Sequence, residues 1–312
     1  MKTRALGSLQ VSEVGVGCNN FGTRLDQERA TAVVNAALES GINFFDTADI
    51  YGATKSEVFL GAALKGRRDQ VIVASKFGMP IDDTHFGASP DYVRLACEES
   101  LRRLDTDYID LYQLHYPDEK TPLADTLGAL AELVAAGKVR EIGCSNFSAA
   151  QLREAKIAAG EGPAFVSVQN QYSLLDRSPE RDGVLEACDE LAMGFLPFYP
   201  LANGLLTGKV RPGQPIPDGT RLSKMAPERS AHWLSDELRA RVGTLLEYAD
   251  TANTSILTFA FSWLLHHPEV SSVIAGASSP EQVRANAASP GELSDNVVNE
   301  LNRLSAVDPS TD

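Results

Sequence analysis

Cysteine is scarce and scattered: Cys18, Cys97, Cys144 and Cys188 are the four in 312 residues, and no two form a C-x-x-C pair. A disulfide framework, a thiolate metal site and a dithiol redox motif are unsupported, and reduced, mostly buried thiols are expected. Histidine is equally thin. Of His85, His115, His232, His266 and His267 only His115 follows a strand-like run, which is too little for a multi-histidine metal centre. No apolar run is long enough to span a membrane. The opening Met1-Lys2-Thr3-Arg4 leads into Gly7 and Ser8 rather than a hydrophobic segment, so no secretory signal is expected. Basic clusters are missing too. The formal net charge is −14 with no block of like sign, which argues against nucleic acid and anionic membrane as partners. A cytoplasmic protein, monomeric or weakly self-associating, is the expectation, and any polyanionic ligand must be held by a local site.

What the chain does have is a repeated unit of short apolar strand, loop and amphipathic helix. Residues 3 to 12 alternate around Gly7-Ser8 and predict a hairpin ahead of the main fold, set as a lid on one end. Strands are then predicted at 14–17, 42–46, 71–76, 108–115, 139–145, 165–170, 195–199 and 273–275. Helix starts are marked by Asp26, by Ser89-Pro90, by Thr121-Pro122 and by the capping box Ser148-x-x-Gln151. Residues 200–230 are rich in Gly and Pro and too long for a plain connection, which suggests function. Eight such strands with right-handed crossovers predict a closed (β/α)8 barrel with an N-terminal hairpin and extra C-terminal helices, in one domain over 1–312.

Function in such barrels sits at the C-terminal strand ends. There the second predicted strand ends in Asp46 and its loop carries Tyr51, the third ends in Lys76 and the fourth in His115. Adjacent strand ends lie about 5 Å apart, so these four side chains can share one pocket. A free phenol, with a pKa of about 10, is a poor donor near neutrality, and an adjacent ammonium lowers it. Lys76 is the candidate ammonium, and Asp46 the carboxylate that keeps it charged. His115 either donates a hydrogen bond to a substrate oxygen or shares the proton with Tyr51. A metal-dependent hydrolase using Asp46, Asp49 and His115 is the remote alternative, short of histidine ligands.

The runs Phe44-Phe45-Asp46-Thr47-Ala48-Asp49-Ile50-Tyr51-Gly52, Ser75-Lys76, Leu111-Tyr112-Gln113-Leu114-His115 and Gly137 to Phe147 resemble the aldo-keto reductase family. Agreement continues through Gln169, Pro200-Leu201 to Lys209, and Gly276 to Asn286. The resemblance implies a carbonyl reductase in which Tyr51 is the general acid, Lys76 and Asp46 tune it, and His115 positions the carbonyl while a reduced nicotinamide gives up a hydride.

For the cofactor, Gly15-Val16-Gly17-Cys18-Asn19-Asn20 only partly matches G-x-G-x-x-G and opens no helix directly, so it is set aside. Phosphate sites in barrels favour the loops after the seventh and eighth strands. The resemblance implies Leu201, Gly204 and Lys209 as a pyrophosphate loop and Phe198 as the ring stacked on the nicotinamide. It assigns the carboxamide to Ser145, Asn146 and Gln169, and the adenosine and its 2′-phosphate to the run from Gly276, with Ser278, Gln282 and Asn286. Many relatives carry a basic residue where Gln282 stands. Ser278 and Lys209, with Arg221 or Arg284 assisting, favour NADP over NAD. Asn20, Phe21, Tyr51 and Tyr116 are expected at the mouth of a broadly specific carbonyl pocket, with loop 78–89 and part of 210–230. The same tetrad serves an NAD-dependent aldose or alcohol dehydrogenase, and a cofactor-sensing regulatory subunit is the competing non-enzymatic reading.

Overall fold

The structure, a computed structural model, describes residues 1–306. The hairpin is present as β1 (Thr3–Leu6) and β2 (Leu9–Ser12). Eight parallel strands follow: β3 (Val14–Gly17), β4 (Phe44–Asp46), β5 (Ile72–Phe77), β6 (Ile109–Leu114), β7 (Val139–Ser145), β8 (Ser167–Gln171), β9 (Gly194–Phe198) and β10 (Val273–Gly276). From β3 to β9 each pairs with the next in chain order, and β10 returns to pair with β3. The ring closes at Phe195, whose N–H donates to the Glu269 carbonyl at 2.7 Å and whose carbonyl accepts from the Ser271 N–H at 3.0 Å.

Around the strands run α1 (Gln27–Glu39), α2 (Lys55–Ala63), α3 (Pro90–Leu104), α4 (Leu123–Ala135) and α5 (Ala149–Ala159). Then come α6 (Ser178–Arg181), α7 (Val184–Leu191), α8 (Pro227–Ser230), α9 (Asp236–Thr251), α10 (Ile256–His266), α11 (Pro280–Ala288) and α12 (Asp295–Ser305). The fold is a (β/α)8 barrel with its N-terminal hairpin and additional helices towards the C-terminus. No helix among the described residues is long and apolar enough to cross a membrane.

Helix starts follow local chemistry. Asp26 accepts from the Arg29 N–H, Ser89 from Tyr92, and Ser148 and Gln151 form the complete capping box. Strand starts depend on partners and shift accordingly. β4 begins at Phe44 rather than residue 42, because Asn43 uses its side chain to bind the Ser12 N–H at 2.7 Å and the Gln10 carbonyl at 2.9 Å. β8 likewise begins two residues later than expected.

Side-chain alternation then sorts the barrel interior into layers. Leu6, Leu9 and Val11 of the hairpin pack against Phe44, Ile72, Ala74, Leu111, Leu196 and Ile274, making an apolar floor that plugs the N-terminal end. Two residues further along the strands, the same inward parity brings Asp46, Lys76 and Gln113 to the opposite, open end.

Candidate active site

Asp46 and Lys76 form a buried ion pair at the centre of that polar layer, with 3% and 0% of their surfaces exposed. Lys76 Nζ donates to Asp46 Oδ1 at 2.7 Å, to Oδ2 at 2.6 Å and to the Thr47 carbonyl at 3.1 Å. Asp46 Oδ1 also accepts from Gln169 Nε2 at 2.9 Å and Gln113 Nε2 at 3.3 Å. A buried pair is stable only when its remaining hydrogen-bonding capacity is met, and these two amides meet it. Burial pushes the Lys76 pKa down, but the Asp46 charge and hydrogen bonds outweigh it, so the ammonium titrates above its usual range.

Tyr51 is brought beside this pair by a tightly wound loop. Gly52, Ala53 and Thr54 all adopt left-handed backbone, with φ of +63°, +52° and +70°. A Cβ on Gly52 would stand 2.3 Å from the Phe21 carbonyl oxygen, so only glycine lets the loop press against the β3–α1 connection. Lys76 Nζ lies 5.2 Å from the Tyr51 ring centroid, and the His115 ring meets Tyr51 edge-on at 5.8 Å. The sequence suggested a lowered phenol pKa. The structure reverses that direction: burial raises it, the Lys76 charge pulls it down, and Asp46 and Tyr199 push it back up. The phenol therefore keeps its proton at neutral pH and holds it ready to donate.

His115 is 7% exposed and its pKa is depressed to about 3, by burial first and by Lys76 second. It is a neutral imidazole at physiological pH. Its Nδ1 is buried without a partner, which leaves Nε2 to meet a substrate. Tyr116, 47% exposed, stacks on His115 with ring centroids 5.6 Å apart. Asn20 is buried and donates to the Ala277 carbonyl at 3.2 Å. Phe21, expected at the mouth, is wholly buried and belongs to the main core.

The residues expected around a cofactor lie along the same open end, many with polar atoms already engaged. Ser145 Oγ donates to the Gln169 carbonyl at 2.7 Å, and Asn146 Nδ2 donates to the His115 carbonyl and to Ser145 Oγ, both at 3.0 Å. Gln169 binds Asp46 as described. Phe198 packs edge-on against Tyr199, Leu201 is half-buried, and Lys209 is exposed. Gly204 has φ of +101° with open space where a Cβ would project. Gly276 faces Asn19. Ser278 and Gln282 bond to each other through Gln282 Oε1, while Asn286 is buried on α11.

Sequence reasoning passed over a second buried cluster behind Lys76. Glu57 accepts from Ser75 Oγ at 2.5 Å and from Arg103 Nε at 2.6 Å. Asp49, placed only in the remote hydrolase alternative, is fully buried with both carboxylate oxygens unpartnered, and its N–H donates to the Lys76 carbonyl at 3.0 Å. Burial, then the Glu57 charge, lifts its pKa from 3.8 to about 7. No local pattern announces this, since burial of Asp49 and Glu57 depends on α3 folding over them. The sign of the pH dependence follows. Below about pH 4 both folded and unfolded forms hold the proton, so the group contributes nothing. As pH rises towards 7 the unfolded carboxyl ionises first and stability falls, by at most about 4 kcal/mol. Asp49→Asn is therefore expected to raise the unfolding midpoint markedly at pH 8 and little at pH 4, measured by thermal melts at both values.

All four cysteines are free and buried. Among the described residues no group of three or more His, Cys, Asp or Glu is arranged to hold a metal.

Comparison with known proteins agrees with this geometry. The profile of the Aldo/keto reductase family matches residues 13–306. A probable aldo-keto reductase 1 of Glycine max is 38% identical over 208 residues, 64% of this chain and 59% of the soybean protein. The uncharacterized oxidoreductase YqkF of Bacillus subtilis is 35% identical over 292 residues, 92% of this chain and 90% of its own. The solved structure of aldo-keto reductase AKR11C1 from Bacillus halodurans, in its holo form, superposes with a TM-score of 0.80 at 34% identity, covering 99% of this chain and 98% of that one. With a family profile spanning almost its whole length, matched relatives of similar size and the same barrel, the chain belongs to the aldo/keto reductase family, oxidoreductases acting on carbonyls.

Proposed function

We propose that the protein is an NADP-dependent reductase that converts aldehydes or ketones to alcohols, with Tyr51 as the general acid. The observation that carries this reading is the buried Asp46–Lys76 pair set beside a protonated phenol and a neutral imidazole at one open barrel end. Such a group has nothing to offer a metal-activated water, but it suits protonation of an oxygen on which charge develops.

The residues present fit a dinucleotide. Asn203 Oδ1 and Asn19 Oδ1, in the loops after β9 and β3, and Asn170 Oδ1, near the end of β8, are buried without partners. Gly204 leaves space for close approach of a ligand to the backbone. Ser145, Asn146 and Gln169 would hold the nicotinamide end, Leu201, Gly204 and Lys209 the diphosphate, and Ser278, Gln282 and Asn286 the adenosine. Family members generally use NAD(P)H, and when bound the reduced nicotinamide supplies the hydride.

The chain's own part is positional and electrostatic. His115 Nε2 donates a hydrogen bond that orients the carbonyl oxygen towards Tyr51. Tyr51 gives its proton to that oxygen, and the phenolate left behind is stabilised by the Lys76 ammonium. Asp46, Gln113 and Gln169 keep the ammonium fixed and charged. Tyr116 at the rim gives a mouth able to contact varied apolar substituents. Mixing the purified protein with NADPH or NADH and a panel of aldehydes and ketones tests this. Carbonyl-dependent consumption of the reduced cofactor, faster with NADPH, is expected. No turnover with either cofactor across the panel contradicts the reading.

A further inference from the structure

A dinucleotide brings negative charge that this acidic chain must match locally, and α11 does not supply the cation. Gln282 is uncharged and its Oε1 is occupied by the Ser278 N–H and hydroxyl. Arg284 is paired with Glu39 at 3.2 Å. Glu281 adds a carboxylate to the first turn of α11.

The cation at this rim comes from the facing β3–α1 segment. Arg29 Nη2 donates to the Ser278 carbonyl at 3.5 Å and Arg29 Nη1 to the Arg24 carbonyl at 3.4 Å, so its guanidinium spans the two loops. Its neighbours in sequence do not neutralise it: Glu28 is not at ion-pair distance from the guanidinium, and Asp26 caps α1 through the Arg29 N–H. Arg24 is exposed and close enough to Arg221 that partial burial and the Arg221 charge both push its pKa down. Arg221 Nη2 in turn donates to Tyr199 Oη at 3.3 Å, with its guanidinium 5.1 Å over that ring. Among the described residues Arg24, Arg29 and Arg221 have no carboxylate at ion-pair distance, whereas most other arginines do. Mutual repulsion of unpaired guanidiniums is tolerated where an anion is to be bound. The loops they border also carry unpartnered polar atoms. Asn203 is 8% exposed with its Oδ1 buried, and Asn19 Oδ1 lies 3.3 Å from where a Cβ on Gly276 would stand.

We propose that Arg29 binds the ribose 2′-phosphate and so sets preference for NADP over NAD, while Arg24 joins Arg221 on the cofactor's diphosphate. This rests on the dinucleotide reading above. A guanidinium meets phosphate oxygens through two parallel hydrogen bonds, and the N–H groups opening α11 complete the pocket around the 2′-phosphate. NADH lacks that group, so Arg29 has nothing to hold in it. Both dinucleotides carry the diphosphate, so Arg24 acts on them alike.

Equilibrium binding of NADPH, NADH and reduced nicotinamide riboside, which carries no phosphate, followed by quenching of protein fluorescence, separates the two roles without relying on turnover. Arg29→Ala is expected to raise the NADPH Kd by about 10- to 100-fold and to leave the NADH Kd within about twofold, the NADH arm also showing that the variant is folded. Arg24→Ala is expected to weaken NADPH and NADH by the same factor and leave the riboside unchanged. Equal weakening of NADPH and NADH by Arg29→Ala, or no effect on NADPH, overturns the assignment of Arg29. Weakening of the riboside by Arg24→Ala, or no effect on either dinucleotide, overturns that of Arg24. A wild-type protein that binds no dinucleotide removes the dinucleotide reading itself, whereas one that binds both normally while the variants behave like wild type removes only the present inference.

Discussion

Tyr51→Phe is expected to lower kcat/KM for carbonyl reduction by about 100- to 10,000-fold while leaving NADPH affinity and the unfolding midpoint nearly unchanged. The size follows from the lack of a substitute donor. Lys76 has its ammonium directed to Asp46 and the Thr47 carbonyl, and His115 is neutral because its pKa is held near 3. Its remaining N–H can orient a carbonyl but surrenders a proton far less readily than an imidazolium. Deleting one oxygen from a side chain whose ring packing is retained makes little change in the cavity. Steady-state kinetics with one aldehyde, beside a binding titration and a melt, check the three parts together. A variant as fast as wild type means that another group protonates the substrate.

The second large effect is on folding as well as rate. Lys76→Met is expected to destabilise the protein by about 3–5 kcal/mol, because Asp46 is left as a buried carboxylate with only Gln113 and Gln169 for partners. Combining it with Asp46→Asn removes the stranded charge and is expected to restore much of the lost stability, since an uncharged amide among amides has partners of its own. Activity stays low in both, as the Tyr51 phenolate then has no ammonium beside it. Urea unfolding of the two singles and the double makes a thermodynamic cycle. Additive losses would show that the pair is not coupled.

How far these features were legible in the sequence differs from element to element. The caps at Asp26, Ser89 and Ser148 were readable because capping is settled within four residues of chain. The starts of β4 and β8 were not, because Asn43 is drawn to the hairpin and β8 is bounded by pairing with β7 and β9. In the site, Asp46, Tyr51, Lys76 and His115 stood out as ionisable groups at consecutive strand ends. Gln113 sat inside a quoted motif and went without a role, although counting inward parity from Leu111 would have put it facing Asp46. The direction of the Tyr51 pKa had no sequence signal, since it is a balance between burial and two opposed charges that only the folded geometry fixes. Phe21 was expected at the mouth and is wholly buried, because the core cluster it joins is assembled from residues far along the chain. Arg29 was given no role from the sequence, because its proximity to Ser278 comes only with closure of the barrel.

The central claim is that this barrel end moves a hydride from a reduced nicotinamide to a carbonyl carbon while Tyr51 supplies the proton. Incubating wild-type protein with an aldehyde and NADPH deuterated at the transferable ring position, then determining the product by mass spectrometry, tests it directly. One deuterium at the former carbonyl carbon of the alcohol is the predicted result. Alcohol formed without the label, or no alcohol with any aldehyde or ketone tried, would contradict it.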